Sequence, residues 1–492
     1  MNNKLRVVCH FLGQIVILFS VGMLVPFLYS LVIGERIWSL LLAAVITACF
    51  GWGLKKSGNS GLSISLSQGF VIVGFAWIFA SFFGALPYYL GGYLPRFIDA
   101  LFESTSGFTA TGATVFVGLD TIPRALVLYR SMTHWFGGMG IIILVLAFLK
   151  SLGMEASHLF HAEAAVNGYG QVMPRIREYA KTLWGLYVLL SLTAVLILWC
   201  AGMAPFDALN YGMSIIATGG FTPSGAGAFA YADSYLVQAA MVLFMIIAGG
   251  NFGLYYLAWK KGFRLVWRDT EFRVYLSLLF GGAAVIAVAL YTMTDAGGGI
   301  KTWMASLFTM VSIQTGSGFA VADYDLWPPM AKAILYSAMF IGGCSGSTTG
   351  AIKVVRFILI AKAAGMYLQQ LVHPGMVKVV KHNGKSVTAK ELTGTLLFFV
   401  SYLMVYFVSV ILVAMTGFEM DMALTSVAGI LGNVGLAFGE LGPTDSFAAV
   451  HPLAKGVFVI DMLLGRLELF TLLVMLHPGF WRPFLQKDKV RF

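Results

Sequence analysis

The sequence predicts an all-α polytopic membrane protein of about ten transmembrane helices. Its expected plan is an N-terminal helix pair followed by four units of helix, short pore-loop helix and helix (M1-P-M2), set around a pseudo-fourfold axis. Three observations lead there. Of 492 residues, 59% are apolar and 11% charged, where a soluble chain carries about 25% charged residues. Long apolar runs recur along the whole chain. A short segment with a glycine at one fixed offset recurs four times. The composition excludes a water-soluble enzyme, a disordered chain and a disulfide-rich secreted domain. Cys9, Cys49, Cys200 and Cys344 lack the paired spacing of a disulfide frame or zinc site.

Spans are expected near 11–33, 37–54, 68–90, 128–149, 180–200, 235–258, 274–293, 332–362, 392–416 and 454–476. Each approaches or exceeds the roughly 20 residues a helix needs to cross the hydrocarbon. The first run has no small-residue cleavage site behind it and a second span follows directly, so it reads as an anchor. Ten spans place both termini on one side. Of the 32 Lys and Arg, 24 fall on segments sharing that side, seven fall opposite, and Arg466 alone lies within a span. The positive-inside rule then puts both termini in the cytoplasm. Acidic residues favour the outer segments, which would concentrate cations at an entrance; simple tolerance of acids outside explains the count equally well.

Between the third and fourth spans, residues 99–115 are too short and polar to cross, and 207–222, 305–320 and 422–437 repeat the pattern. Aligned without gaps, they put Leu101, Leu209, Leu307 and Leu424 at the third position and Gly112, Gly220, Gly318 and Gly435 at one later offset. The units are then 1–60 for the helix pair and 61–155, 156–270, 271–375 and 376–492 for the repeats. A helix of about 12 residues is ~18 Å long, roughly half the hydrocarbon thickness. It must re-enter from the side it left, with its glycine loop inside the membrane. Irregular backbone survives there only when buried in protein or lining a watery cavity. Four such loops would aim carbonyl oxygens at one line, in place of the water shell of a bare cation. The helix C-termini bring roughly half a negative charge each to the same place. For any single glycine, close helix packing is the competing explanation, as in Phe136-Gly137-Gly138-Met139-Gly140.

The eighth span is interrupted by Gly342, Gly343, Gly346 and Gly350, with Ser345, Ser347, Thr348 and Thr349 among them. Each interior glycine costs a helix about 1 kcal/mol relative to alanine. A break in mid-membrane is expected, and a broken helix below four converging loops can serve as a movable plug; a tightly packed continuous helix is the alternative. Arg466, costing ~2.5–3.5 kcal/mol at a span centre, must face the pore or a carboxylate, with Asp461 and Glu468 the near candidates. It either sets a positive charge in the pore against the 342–350 loop or fastens helices as an Arg–Glu pair.

The chain resembles the Trk/Ktr/HKT potassium-transporter superfamily, most of all its bacterial TrkH-type branch. The resemblance rests on Ser-Gly-Phe-Thr-Ala-Thr-Gly-Ala-Thr (106–114), Thr-Gly-Gly-Phe-Thr (218–222), Gly-Ser-Gly-Phe (316–319) and Asn-Val-Gly-Leu (433–436). Gly-Gly-Cys-Ser-Gly-Ser-Thr-Thr-Gly-Ala-Ile-Lys (342–353) and Gly-Arg-Leu-Glu (465–468) reinforce it. It implies that Thr111-Gly112, Gly219-Gly220, Ser317-Gly318 and Val434-Gly435 line a selectivity filter for transported potassium. It also implies that Gly342, Gly343, Ser345, Gly346, Gly350 and Arg466 form the gate. A serine at the first-repeat glycine goes with sodium permeability in that family, so Gly112 favours potassium. Two departures stand out: Leu436-Ala437 where relatives often have Pro-Gly, and Gly316-Ser317 where threonines are common. The resemblance further implies residence in the bacterial inner membrane. It implies a homodimer standing on a cytosolic, nucleotide-binding TrkA-type ring, for which the basic stretches 150–181, 259–273 and 362–390 are docking candidates; anionic lipid explains them as well.

Other signals carry less. His158, His161 and Glu163 lack a zinc-binding form. His134 beside Trp135 reads as an interfacial pair at an outer helix end. No nucleophile–base set and no nucleotide fingerprint is present, so neither enzymatic activity nor a nucleic-acid partner is expected. A sodium- or ammonium-permeable transporter and a non-conducting membrane scaffold remain the rival readings.

Overall fold

The computed structural model describes residues 3–59, 64–149, 176–294, 299–375 and 379–485. The expected unit boundary at 155/156, most of the 150–181 basic stretch, and His158, His161 and Glu163 lie outside the described residues. Helices dominate; the one strand pair among the described residues is a small hairpin at 381–386.

The opening helices, Asn3–Val32 and Trp38–Ser57, fold back on each other across a short turn. Gly13 and Gly51 let their backbones meet: a Cβ on Gly13 would stand 2.5 Å from the Gly51 carbonyl oxygen. Small residues are how membrane helices gain van der Waals contact where no hydrophobic force drives association. The first repeat then runs Leu66–Gly84, the short helix Phe97–Thr109 and Arg124–Leu149. The second runs Ile176–Cys200, Pro205–Ile216 and Tyr235–Ala248. The third has Thr270–Met293, Ile300–Gln314 and Pro329–Met339, then Val354–Val372 beyond a break. The fourth has Ala389–Ala414, Met420–Leu431 and Pro452–Arg466.

Local chemistry explains the starts. Pro205, Pro329 and Pro452 open their helices where a missing N–H costs nothing. Thr388 and Glu391 form a capping box ahead of Ala389–Ala414. Asp99, Asp207 and Asp421 sit in the first turns of three short helices and offset the positive end of the dipole.

Seven helices among the described residues are long and apolar enough to cross a membrane, and a bent pair supplies an eighth. Leu192, Leu196, Val400, Met404, Phe407 and Ile411 lie exposed on such helices, a surface suited to lipid and not to water. The chain is a multi-pass membrane protein.

Three expected spans are not straight helices. The 235–258 span ends at Ala248, and Phe252–Lys261 leaves at 90°. Asn251 drives that break by turning its side chain to cap Leu254 N at 2.9 Å. The 332–362 span is broken between Met339 and Val354, as its glycines require. The 454–476 span stops at Arg466 and resumes as Phe470–Leu476, with Glu468 and Leu469 at positive φ. Glu468 leaves the helical path to form an ion pair with Arg356.

Candidate functional site

The four short helices end in the same way. Each is closed by a residue in the left-handed region: Ala110 (φ 52), Thr218 (φ 55), Gly316 (φ 69) and Asn433 (φ 54). The N–H of that residue donates three residues back, to Gly107, Ile215, Ile313 and Ile430. The next N–H donates five back, to Ser106, Ser214, Ser312 and Gly429, at 2.7–2.9 Å. This is the Schellman cap, repeated four times in register, two residues ahead of Gly112, Gly220, Gly318 and Gly435. It explains why the third loop carries Gly316: the position demands positive φ, which glycine adopts without strain.

Beyond the caps, the four loops meet in a closed ring in chain order. A Cβ on Gly112 would sit 2.6 Å from Gly220 Cα. One on Gly220 would meet Gly318 O at 3.2 Å, one on Gly318 would strike Val434 O, and one on Gly435 would strike Thr111 O. At Gly112, Gly318 and Gly435 no side chain fits without a shift of backbone, and at Gly220 the contact is tight, so the ring is built of backbone. Thr111 and Ser317 turn their hydroxyls to Thr109 and Thr315, at 2.7 and 2.8 Å. Asn433 ties the fourth loop to the first by donating to Thr111 Oγ1 at 2.9 Å, and to Met462 O at 3.0 Å.

Charged groups behind the ring hold it. Glu103, fully buried, pairs with Arg130 at 2.8 Å and accepts from Val115 N and Thr114 Oγ1. Arg130 also donates to Thr222 O at 3.2 Å and lies 4.0 Å over the Phe221 ring, so one guanidinium braces two adjacent loops. His134 is likewise fully buried: Nδ1–H reaches Gly107 O at 2.7 Å and Nε2 accepts from Phe221 N at 3.1 Å. The interfacial reading of His134 is therefore wrong, and Arg130, one of the seven Lys and Arg assigned to the opposite side, is a buried brace. The sequence signal that could have exposed both is polar residues one helical turn apart, at 130 and 134, inside an apolar run. Arg130→Lys keeps the charge and loses the planar fork. We expect it to cost about 2 kcal/mol, read as a lower melting temperature in detergent. Asp325 takes an N–H from Gly439 at 3.2 Å, and burial raises its carboxyl pKa from the usual value.

Below the ring lies the broken third-repeat helix. Its 340–353 segment is pinned by a parallel bridge between Ile341 and Ile352. Cys344 N donates to Gly249 O at 2.8 Å, and Thr348 Oγ1 to Ile216 O at 3.1 Å. Lys353 folds back on Thr349 O at 2.5 Å. Gly350 packs against Gly432 and Asn433. Arg466 is nearly buried. It donates to Thr348 O, and to Gly137 O and Gly138 O at 2.8 and 3.1 Å. The carboxylates expected beside it are engaged elsewhere: Glu468 with Arg356, Asp461 with Ser409 at 2.7 Å. Arg466, Gly138, Glu468 and loop residues 345–351 line one cavity. Gly137 and Gly138 do serve close packing, against the Phe108 backbone and Ala217 respectively, and their carbonyls are the ones Arg466 takes. Glu271, which holds the loop from the far side, has no counterpart in the sequence reading.

The model of the TrkH family, described as cation transport protein, matches residues 39–479. The chain belongs to the TrkH family. The Trk system potassium uptake protein TrkH of Escherichia coli K12 is 36% identical over 485 residues, covering 97% of this chain and 99% of that one. The TrkG protein of the same organism is 33% identical over 488 residues. The crystal structure of the potassium transporter TrkH from Vibrio parahaemolyticus superposes with a TM-score of 0.87 at 34% identity, over 97% of this chain and 99% of that one.

Proposed function

We propose that this TrkH-family chain is the conducting subunit of a potassium-uptake system in a bacterial inner membrane, with both termini cytoplasmic. The observation that carries the proposal is the closed ring of four identically capped backbone loops. Thr111-Gly112, Gly219-Gly220, Ser317-Gly318 and Val434-Gly435 would supply carbonyl oxygens in place of potassium's water shell. Bracing by Glu103, Arg130 and His134 holds the ring at one size. The relatives' names, potassium uptake proteins across their whole length, support the choice of ion. In this reading the chain is the N-terminal pair plus four pore-loop units, and it is no enzyme.

The 342–350 loop and Arg466 form the gate in this proposal. A buried guanidinium held on loop and span carbonyls repels a cation leaving the filter. Inward movement would follow the electrochemical gradient, about 2.3 kcal/mol per charge for each 100 mV. A homodimer on a cytosolic nucleotide-binding ring completes the proposal, consistent with relatives named as parts of a Trk system.

The test is uptake of radiolabelled rubidium into proteoliposomes of purified protein, competed by potassium, sodium and ammonium. Potassium should block uptake and sodium barely affect it. Equal competition by sodium would remove the selectivity claim, and equal competition by ammonium would make it the ammonium-permeable relative. No uptake from either the wild type or Arg466→Ala would leave the scaffold reading standing.

A further inference from the structure

We infer that the 381–386 hairpin is a latch on the gating loop, acting through Asp269, Thr270 and Glu271; the inference rests on the gate proposed above. The hairpin has a two-residue turn of Asn383 (φ 46) and Gly384 (φ 79), both at the positive φ that a type I′ turn requires. Gly384 at its tip is exposed, but Asn383 beside it is tied to the protein. Asn383 Nδ2 donates to Asp269 Oδ2 at 2.7 Å, and Asn383 Oδ1 accepts from Thr270 N at 3.0 Å. His382 is buried beside them.

Asp269 and Thr270 begin the Thr270–Met293 helix, whose first turn Asp269 caps by accepting from Phe272 N at 2.8 Å. The next residue, Glu271, is buried and engages a different segment. Its Oε1 accepts from Ser345 N at 2.7 Å, Ser345 Oγ at 3.1 Å and Val355 N at 3.2 Å. One oxygen thus holds both the loop and the start of the helix that follows it. Asn383 holds Asp269 and the N–H of Thr270, and Glu271 follows directly in the same capped turn, so the two contacts are joined through one turn of helix backbone. The hairpin also bears on the far limb of the loop. Lys362 donates to Lys381 O at 2.8 Å, and Val380 and Val387 pack with Val355 and Leu359.

Lys381, Lys385 and Ser386 on the same hairpin are exposed. On the proposed topology they face the cytosol. Force on the hairpin therefore has a path to the loop without any change in the ring. Asn383 and Asp269 are positioning residues: they act on ions only through Glu271 and the loop.

The experiment compares Asn383→Gly, which keeps the turn's positive φ and removes the amide, with Glu271→Ala, which removes the oxygen that holds the loop, and the double variant. Each is read for open probability, unitary conductance and potassium-over-sodium selectivity in planar bilayers. We expect Asn383→Gly to raise open probability about tenfold, the factor for a lost charge-assisted hydrogen bond of about 1.4 kcal/mol. Conductance and selectivity should stay unchanged, and the amide should add nothing once Glu271→Ala has removed the acceptor and freed the loop. Unchanged open probability in Asn383→Gly, or equal effects in the presence and absence of Glu271, would overturn the latch. Arg466→Ala in the same bilayers separates the two readings: if it opens the pore while Asn383→Gly does nothing, the latch fails and the gate stands. If Arg466→Ala does nothing, the gate itself fails.

Discussion

Arg466→Ala is expected to raise cation flux per molecule by between about tenfold and a thousandfold. A unit charge 4 Å from a passing cation contributes about 4 kcal/mol at an effective dielectric near 20, and each 1.4 kcal/mol is a factor of ten. The upper figure assumes the guanidinium stays where it is during passage, and the lower that it swings aside. Removing it also frees Thr348 O, Gly137 O and Gly138 O, which loosens the loop as well as discharging the path. Arg466→Lys separates the two effects. It keeps the charge and loses the fork that joins Thr348 O of the loop to Gly137 O and Gly138 O, so its flux should lie between wild type and Arg466→Ala. Rubidium uptake normalised to folded protein checks this. Lower yield with unchanged flux per molecule, for both variants, would make Arg466 a fastener of helices and nothing more.

The repeat was legible because its signal is backbone chemistry. A ring without room for a Cβ requires glycine, and glycine can be counted in register. The broken eighth span was legible for the same reason. The bends at Gly249–Asn251 and Glu468–Leu469 were not, because each depends on where one polar side chain goes. Asn251 could have faced lipid-side water, and Glu468 could have paired with Arg466 two residues away; only tertiary structure brings Arg356 to Glu468. Glu103, Arg130 and His134 were misread or missed because the partners that join them lie on other elements: Arg130 is 27 residues from Glu103 and 92 from Thr222, and His134 is 27 from Gly107 and 87 from Phe221. Charge counting by topology treats Arg130 as an outer-face residue. The structure makes it the buried brace between the first and second loops. Periodicity reports which face of a helix is apolar, and says nothing about which carbonyl a buried cation will find.

Gly112→Ser is expected to lower potassium-over-sodium preference by about tenfold or more while leaving the protein folded. Two physical terms act at this position. Gly112 has φ +87, and a residue with a Cβ pays roughly 1–2 kcal/mol for left-handed backbone. The new Cβ would also stand 2.6 Å from both Cα and N of Gly220. Those are backbone atoms of the adjoining loop, itself held by Arg130 and His134, so they cannot yield as a side-chain end would. The first loop must move instead, carrying its carbonyls away from the others. Gly220→Ser supplies the comparison: Gly220 lacks the positive φ, and its Cβ would meet Gly318 O and Ser317 O at a looser 3.2 Å. Its selectivity loss should therefore be the smaller of the two. Reversal potentials with potassium on one side of a bilayer and sodium on the other rank them directly. Equal, unshifted reversal potentials would mean that the ring does not set selectivity. A larger shift in Gly220→Ser would mean that backbone strain at Gly112 is relieved elsewhere, and that oxygen position in the second loop controls the choice of ion.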